Sequence, residues 1–319
     1  MSRVTNETQP VSSTENSDGG LDIQGTTEQS NRLNGGSGND LITTEDPASG
    51  GTAGEADWVD AAGGDDIVAG YAGDDSLLGD SGNDILSGNQ GDDSLLGEAG
   101  EDVVFGGQGN DVIEGGAGND VLSGDLGDDV VRGGDGNDIA LGGAGNDTVE
   151  GGAGNDIVAG GEGSDVVEGS VGDDSAFGGQ GNDVLEGGEG SDWLAGDLGA
   201  DSLSGGEGND TFVYSGYGNP GVTADSLGGD TITDFVSGED KIALDKTIFS
   251  ELGDTLESAE FVKVDSNVPG VGESSSIKLI YNTTTGELIY NPTEAADDEV
   301  TIAKLEGDAD INLGDFEIF

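Results

Sequence analysis

The chain has 319 residues, of which 64 are Gly and only 5 Pro; aromatic residues make up 5% and the formal net charge is −60. Such a composition holds little material for a conventional apolar core, and a chain of this kind stays disordered unless another source of folding energy is present. Eight Lys and Arg against 68 Asp and Glu disfavour nucleic acid as a partner and favour cations. The absence of Cys and His excludes disulfides, thiolate or imidazole metal sites and every mechanism that uses a histidine base.

Residues 1–25 read as a disordered, solvated tail. The opening MSRVTNETQPVSSTENSDGG lacks an apolar core segment and is not a Sec-type signal peptide. No stretch of the chain approaches the roughly 18 apolar residues of a membrane helix. Residues 26–60 read as degenerate repeats that form an N-terminal cap, since a stacked solenoid must cover its terminal edges. Within them GGSGNDLIT, 35–43, is a good repeat whose acid is Asp40; the register breaks at TEDPASGG, near Pro47, and Asp57 returns to phase with Glu55 in the place of a Gly.

From residue 61 to residue 213 the chain divides into seventeen nonapeptides without insertion or deletion. Position six is always Asp: Asp66, Asp75, Asp84, Asp93, Asp102, Asp111, Asp120, Asp129, Asp138, Asp147, Asp156, Asp165, Asp174, Asp183, Asp192, Asp201 and Asp210. Position four is always Gly, position one is Gly except for Ala61, and position eight is always apolar. Positions one to six suit a tight turn, because Gly adopts positive φ and Asn or Asp at position five tolerates it. The remaining three residues suit a short strand whose alternation turns position eight inward.

Turn plus strand at constant length gives a coil. With two nonapeptides per coil the strands stack into two parallel sheets, and turns 18 residues apart lie about 4.8 Å above one another. Asp side chains and turn carbonyls of repeats two apart then surround one gap; Gly107, Gly109, Gly116 and Gly118 are examples of residues whose turn carbonyls take part. An oxygen-only, flexible cage suits Ca2+ better than the strictly octahedral Mg2+, and pairing repeats two apart allows up to about 15 ions. Residues 61–213 carry 35 Asp and Glu against Arg132 alone, a net −34, which about 15 divalent ions would nearly neutralise. Folding and calcium binding are therefore expected to be one equilibrium.

These residues carry a resemblance. The run G-G-x-G-x-D-x-U-x, as in GGQGNDVIE and GGAGNDIVA, resembles the RTX (hemolysin-type) calcium-binding repeat. The resemblance implies an all-β fold, a calcium-loaded parallel β-roll wound as a right-handed solenoid, in a protein secreted to the extracellular space by a type I machinery that reads an uncleaved C-terminal signal.

Residues 214–319 lose Gly and gain alternating apolar segments. TITDF, DKIAL, AEFVKV, SIKLIYN, GELIYN, EVTIAKL and INLGDFEIF predict strands of a small β domain, with IYNTTTGELIY a hairpin turning at Gly286. GGDTITDFVSGEDKIAL is similar to the segment that closes the roll in serralysin-type proteases and other RTX proteins. That likeness implies that Asp230, Asp234 and Asp240 complete the last ion site, with turn capping as the alternative. The terminal DFEIF is similar to the ends of type I export substrates, and equally reads as a last strand.

Odd and even repeats fall on opposite sheets. One presents Ile67, Ile85, Val103, Phe105, Val121, Ile139, Leu141, Ile157, Phe177 and Trp193 outward; the other presents Glu114, Arg132, Glu150, Glu168 and Glu186 at position nine. The apolar face is expected to be covered by the C-terminal region or by another molecule, a cell-surface polymer or a second copy.

The leading functional reading is a non-enzymatic, structural or adhesive calcium-binding protein. The alternative is an accessory or carbohydrate-binding module, or the remnant of an RTX enzyme of protease, lipase or epimerase type without its catalytic domain. With no His there is no HExxH zinc site and no serine triad, and no G-x-S-x-G elbow occurs. Trp58 and Trp193 are the only tryptophans, a sparse platform for a sugar.

Overall fold

A computed structural model describes residues 12–15, 20–24, 32–44, 54, 56–215, 222–265, 277–292, 299–307 and 309–319. The register break around Pro47, Glu55 and the first eleven residues lie outside the described residues. Among these residues no helix is long and apolar enough to cross a membrane. The fold is all-β, built from parallel ladders that wind as a β-roll. It divides into two compact units, Met1–Gly161 and Glu162–Phe319.

In the first unit the repeats alternate between two parallel ladders with a register of 18 residues. Val103 pairs with Val121 and with Ile85 in one ladder, and Val112 pairs with Val130 and with Ser94 in the other. Each repeat forms a six-residue strand such as Val112–Ala117, twice the length expected from the three residues x-U-x. The extra length has a simple origin. The ladder skips position one, then resumes at positions two and three, where Gly116 pairs with Gly134 and Ala117 with Asp135. The corner of the coil thus stays hydrogen-bonded, and only positions four to six, Gly118 to Asp120 in this repeat, leave it.

The core is made of position-eight side chains, one file from each ladder. Leu77, Leu86, Leu95, Val104, Ile113, Leu122 and Val131 are each at most 1% exposed. One inward side chain per coil side is all a nonapeptide supplies, which is why the aromatic-poor composition still closes a core. Positions seven and nine face outward.

The start of the unit is irregular. Within the segment read as a tail, Ser12–Glu15 pairs antiparallel with Leu21–Gln24, and Leu21–Gln24 pairs parallel with Leu41–Thr43. Leu21 and Ile23 alternate with polar residues and bury their side chains, so this stretch extends the file. Arg32–Gly36 pairs with Trp58–Ala62, and the Arg32 guanidinium sits 4.3 Å over the Trp58 ring.

In the second unit the repeats form two ladders of the same kind, which then absorb the C-terminal region. Ser202–Glu207 pairs with Asp230–Ile232, which pairs with Val300–Leu305; Thr211–Tyr214 pairs with Lys241–Leu244, which pairs with Phe316–Ile318, all parallel. Glu287–Tyr290 joins Val300–Leu305 antiparallel, and Leu279–Asn282 forms the expected hairpin with it, Gly286 taking φ +77° at the turn. All seven segments expected as strands carry one. Aromatic residues become common here: Phe249 meets Tyr290, and Phe212 meets Phe235.

Candidate metal centre

Each turn is built by two left-handed positions. Position four takes positive φ in every repeat, and so does position two, where Ala62, Tyr71, Asp80, Asn89, Glu98, Asp125, Ser170 and Asp197 stand in place of Gly. At position four the requirement is also spatial. A Cβ on Gly118 would collide with the carbonyl of Gly100 in the coil before it. Bare Cα atoms therefore let successive turns stack at sheet spacing.

Stacking organises the position-five and position-six side chains into two oppositely directed rows. At position five, Asn110 Oδ1 accepts the Asp128 amide at 2.8 Å, and Asn119 Oδ1 accepts that of Asn137 at 2.8 Å; these groups are exposed. At position six the order reverses and the side chains are buried. Asp102 donates its amide to Asp120 Oδ1 at 2.8 Å, Asp120 to Asp138 at 2.8 Å, and in the second unit Asp183 to Asp201 at 2.8 Å.

Only one oxygen of each position-six carboxylate is used in this way. The Oδ2 atoms of Asp66, Asp84, Asp93, Asp102, Asp111, Asp120, Asp129, Asp138, Asp183, Asp192 and Asp201 are buried with no hydrogen-bond partner. A buried acceptor left open costs on the order of 1–3 kcal/mol, more when charged. Burial accordingly pushes these carboxyls up, Asp66 and Asp183 to about 7 and Asp84, Asp111, Asp120, Asp129 and Asp192 to about 6, with neighbouring carboxylates adding to the effect.

The open oxygen faces a defined space. A point one bond from the Gly79 Cα lies 2.5 Å from Asp84 Oδ2 and 2.9 Å from the Gly97 carbonyl oxygen. At Gly97 the same point lies 2.5 Å from Asp102 Oδ2 and 2.6 Å from the Gly115 carbonyl, and at Gly178 2.5 Å from Asp183 Oδ2 and 2.7 Å from the Gly196 carbonyl. Two oxygens of successive coils thus converge above a glycine that has no side chain. No donor fills the gap, so a proton or a cation must balance it. The donor set is oxygen only, which fits a hard cation, and among the described residues no three acidic side chains converge on one point, so backbone carbonyls share the work.

Sequence reasoning singled out the acids and the carbonyls at positions two and four, such as those of Gly107, Gly109, Gly116 and Gly118. The carbonyl beside the open oxygen belongs to position one. Its signal in the sequence was the near-invariant first Gly, which the pattern G-G could not distinguish from the second.

The acids outside the seventeen repeats divide into two groups. Asp230 continues the buried row, its Oδ1 accepting the Asp201 amide at 3.1 Å, and burial with the adjacent Asp201 carboxylate pushes it up to about 9. Asp57 also keeps register, donating its amide to Asp75 Oδ1 at 2.8 Å. Asp40 and Asp240 also keep the row, Asp40 donating its amide to Asp66 Oδ1 at 2.6 Å and Asp240 accepting the Asp210 amide, but they and Asp234 have both oxygens engaged. Asp40 accepts the amides of Leu21 at 2.5 Å and Gly36 at 2.6 Å; Asp240 accepts those of Asp210 at 3.1 Å and Val236 at 2.6 Å; Asp234 accepts Gly205, Gly206 and the Ser204 hydroxyl. The Oδ2 bonds of Asp40 and Asp240, to amides four residues back, cap local turns.

A parallel β-roll of nine-residue units lined by rows of open, buried carboxylate oxygens defines a class of cation-binding repeat protein. Residues 26–46, 52–86, 78–113, 105–140, 132–167, 141–176, 160–194 and 177–212 match the RTX calcium-binding nonapeptide repeat. The chain belongs to that family, and calcium is the ion its repeats bind. Among solved structures it is similar to the solution structure of the AlgE6R3 subunit from the Azotobacter vinelandii mannuronan C5-epimerase, with 26% identity over 48% of this chain and 78% of that chain and a TM-score of 0.27. No curated protein matches the chain.

Proposed function

We propose that the protein is a secreted, non-enzymatic calcium-folded roll with a structural or adhesive role outside the cell. The observation that carries this reading is the row of buried position-six oxygens without a partner, several of which, such as those of Asp84, Asp102 and Asp183, face a carbonyl of the next coil above a bare glycine. Calcium in these cradles would satisfy the open oxygens and discharge the −34 of residues 61–213. Up to about 15 ions would do so.

The reading assigns a course of events. Where calcium is scarce the carboxylates repel and the chain stays unfolded, a state suited to passage through a type I export channel; at the calcium concentrations outside cells it condenses, with residues 61–213 as the roll and 214–319 as its C-terminal cap. Affinity in the range of extracellular modules, about 10⁻⁴ to 10⁻³ M, matches that division.

Equilibrium dialysis against radioactive calcium tests the assignment of the sites. Asp120→Asn keeps the acceptor for the Asp102 amide but puts an N–H2 group where Oδ2 stands, so the variant is expected to bind fewer ions than the parent chain. Equal binding by the two would remove Asp120 from the ligand set.

A further inference from the structure

If the cradle holds the cation, its floor matters as much as its walls. That floor is the position-one Cα. Position one differs from positions two and four in a way the sequence hides: Gly79, Gly97, Gly106, Gly115 and Gly178 are absent from the positive-φ residues, so any side chain is conformationally admissible there. What keeps these positions glycine is the space itself, since a Cβ would stand between the open carboxylate oxygen and the facing carbonyl.

Three described residues break this rule. Ala61 is the one non-glycine at position one among the seventeen repeats; it is fully buried, and its methyl group takes the place where Asp66 Oδ2 is left without a partner. Thr44 stands at the equivalent place one coil above Gly70, because Thr43 pairs with Ala69 and the Thr44 amide donates to the Ala69 carbonyl at 3.1 Å. Its hydroxyl is buried and donates to the Gly70 carbonyl, a carbonyl of the position-one series. Tyr214 follows nine residues after Gly205, is 1% exposed, and its hydroxyl lies beside the carboxyls of Asp201 and Asp230.

We propose that the residue at position one is the gate of each cation site, held open by glycine, and that Ala61, Thr44 and Tyr214 close it at the ends of the rows. A methyl, a hydroxyl and a phenol fill the cradle, and the Thr44 hydroxyl supplies a proton donor to the Gly70 carbonyl where calcium would otherwise sit. The rows are thereby bounded by the chain's own side chains, and the number of ions falls short of the number of in-register acids. This rests on the reading that the open oxygens hold calcium.

The test counts calcium per chain by native mass spectrometry on the full chain, with far-UV circular dichroism in saturating calcium recorded alongside. Ala61→Gly is expected to bind one ion more than the parent and Gly97→Ala one ion fewer. A parent chain that binds no calcium would defeat the underlying reading. A parent chain that binds calcium, together with an Ala61→Gly variant of unchanged count, would overturn the gate while leaving that reading intact. Should Gly97→Ala not fold, Ala61→Gly decides alone, because it removes only a methyl group.

Discussion

The carboxyl of Asp120 shows how one residue type can carry a whole fold. One oxygen holds the neighbouring coil through the Asp102 amide and the other is left open. Without metal, the folded roll keeps protons on such carboxyls up to pH 6–7, whereas an unfolded chain loses them near the ordinary Asp value of about 3.9. Between these limits the folded state binds more protons, so the metal-free roll is most stable below about pH 4 and loses stability as pH rises toward 7. Acidifying calcium-free protein from pH 8 to pH 5 should therefore raise its β signal in circular dichroism, and the calcium concentration at the folding midpoint should be lower at pH 5.5 than at pH 7.5, because protons on the open oxygens already supply part of the folding free energy. An apo chain that loses structure on acidification would contradict the buried, open carboxylates. At this scale the invariant Asp and the fourth Gly were legible, because strict spacing has few other causes. Position one was not, since two adjacent glycines look alike in a sequence and only their φ values separate a conformational need from a spatial one.

At the scale of the element, strand and turn make different demands on the same nonapeptide. The strand supplies one buried side chain, and its neighbours along the file are the same position two repeats away. Leu122→Ala should thus cost about 2–5 kcal/mol in calcium-loaded protein, read as a shift in the denaturant midpoint, with little room for collapse in a file one residue wide. The turn asks for left-handed backbone. Ser170, at φ +84°, holds a conformation that Gly adopts freely, and Ser170→Gly should raise stability by about 0.5–1 kcal/mol, whereas Asn89→Gly, at φ +77°, should change it less because Asn tolerates this region. Equal gains at both would mean that the strain is not set by residue type. The six-residue length of the strands was hidden from sequence reasoning for a related reason: the corner stays in the ladder through backbone pairing at positions two and three, which leaves no apolar alternation to read. The C-terminal strands were legible because they do alternate, but their parallel addition to the roll's own ladders depends on long-range pairing that no local pattern encodes.

For the whole molecule, the balance of charge decides what can fold. The roll carries almost no cations; Arg132 makes its ion pair with Glu150 on an exposed face, and such pairs contribute little. The outward faces divide only in part, since Val112, Val166 and Val184 are exposed on the ladders that carry Glu114, Glu168 and Glu186. Ile67, Ile85, Phe105, Ile139 and Leu141 remain exposed in the first unit, while in the second Phe319 packs edge-on against Trp193 and Phe177 lies against Ala195, Val213 and Ala243. Because the core is thin and the surface pairs contribute little, we assign the decisive stabilisation against the repulsion of stacked carboxylates to the ion. A calcium titration of the full chain at pH 7.5, followed by far-UV circular dichroism from chelator to 10 mM calcium, tests this most directly. The account predicts a disordered spectrum in chelator and a cooperative rise of β signal with calcium that equal magnesium does not reproduce. A β spectrum already complete in chelator and unchanged by calcium would contradict it.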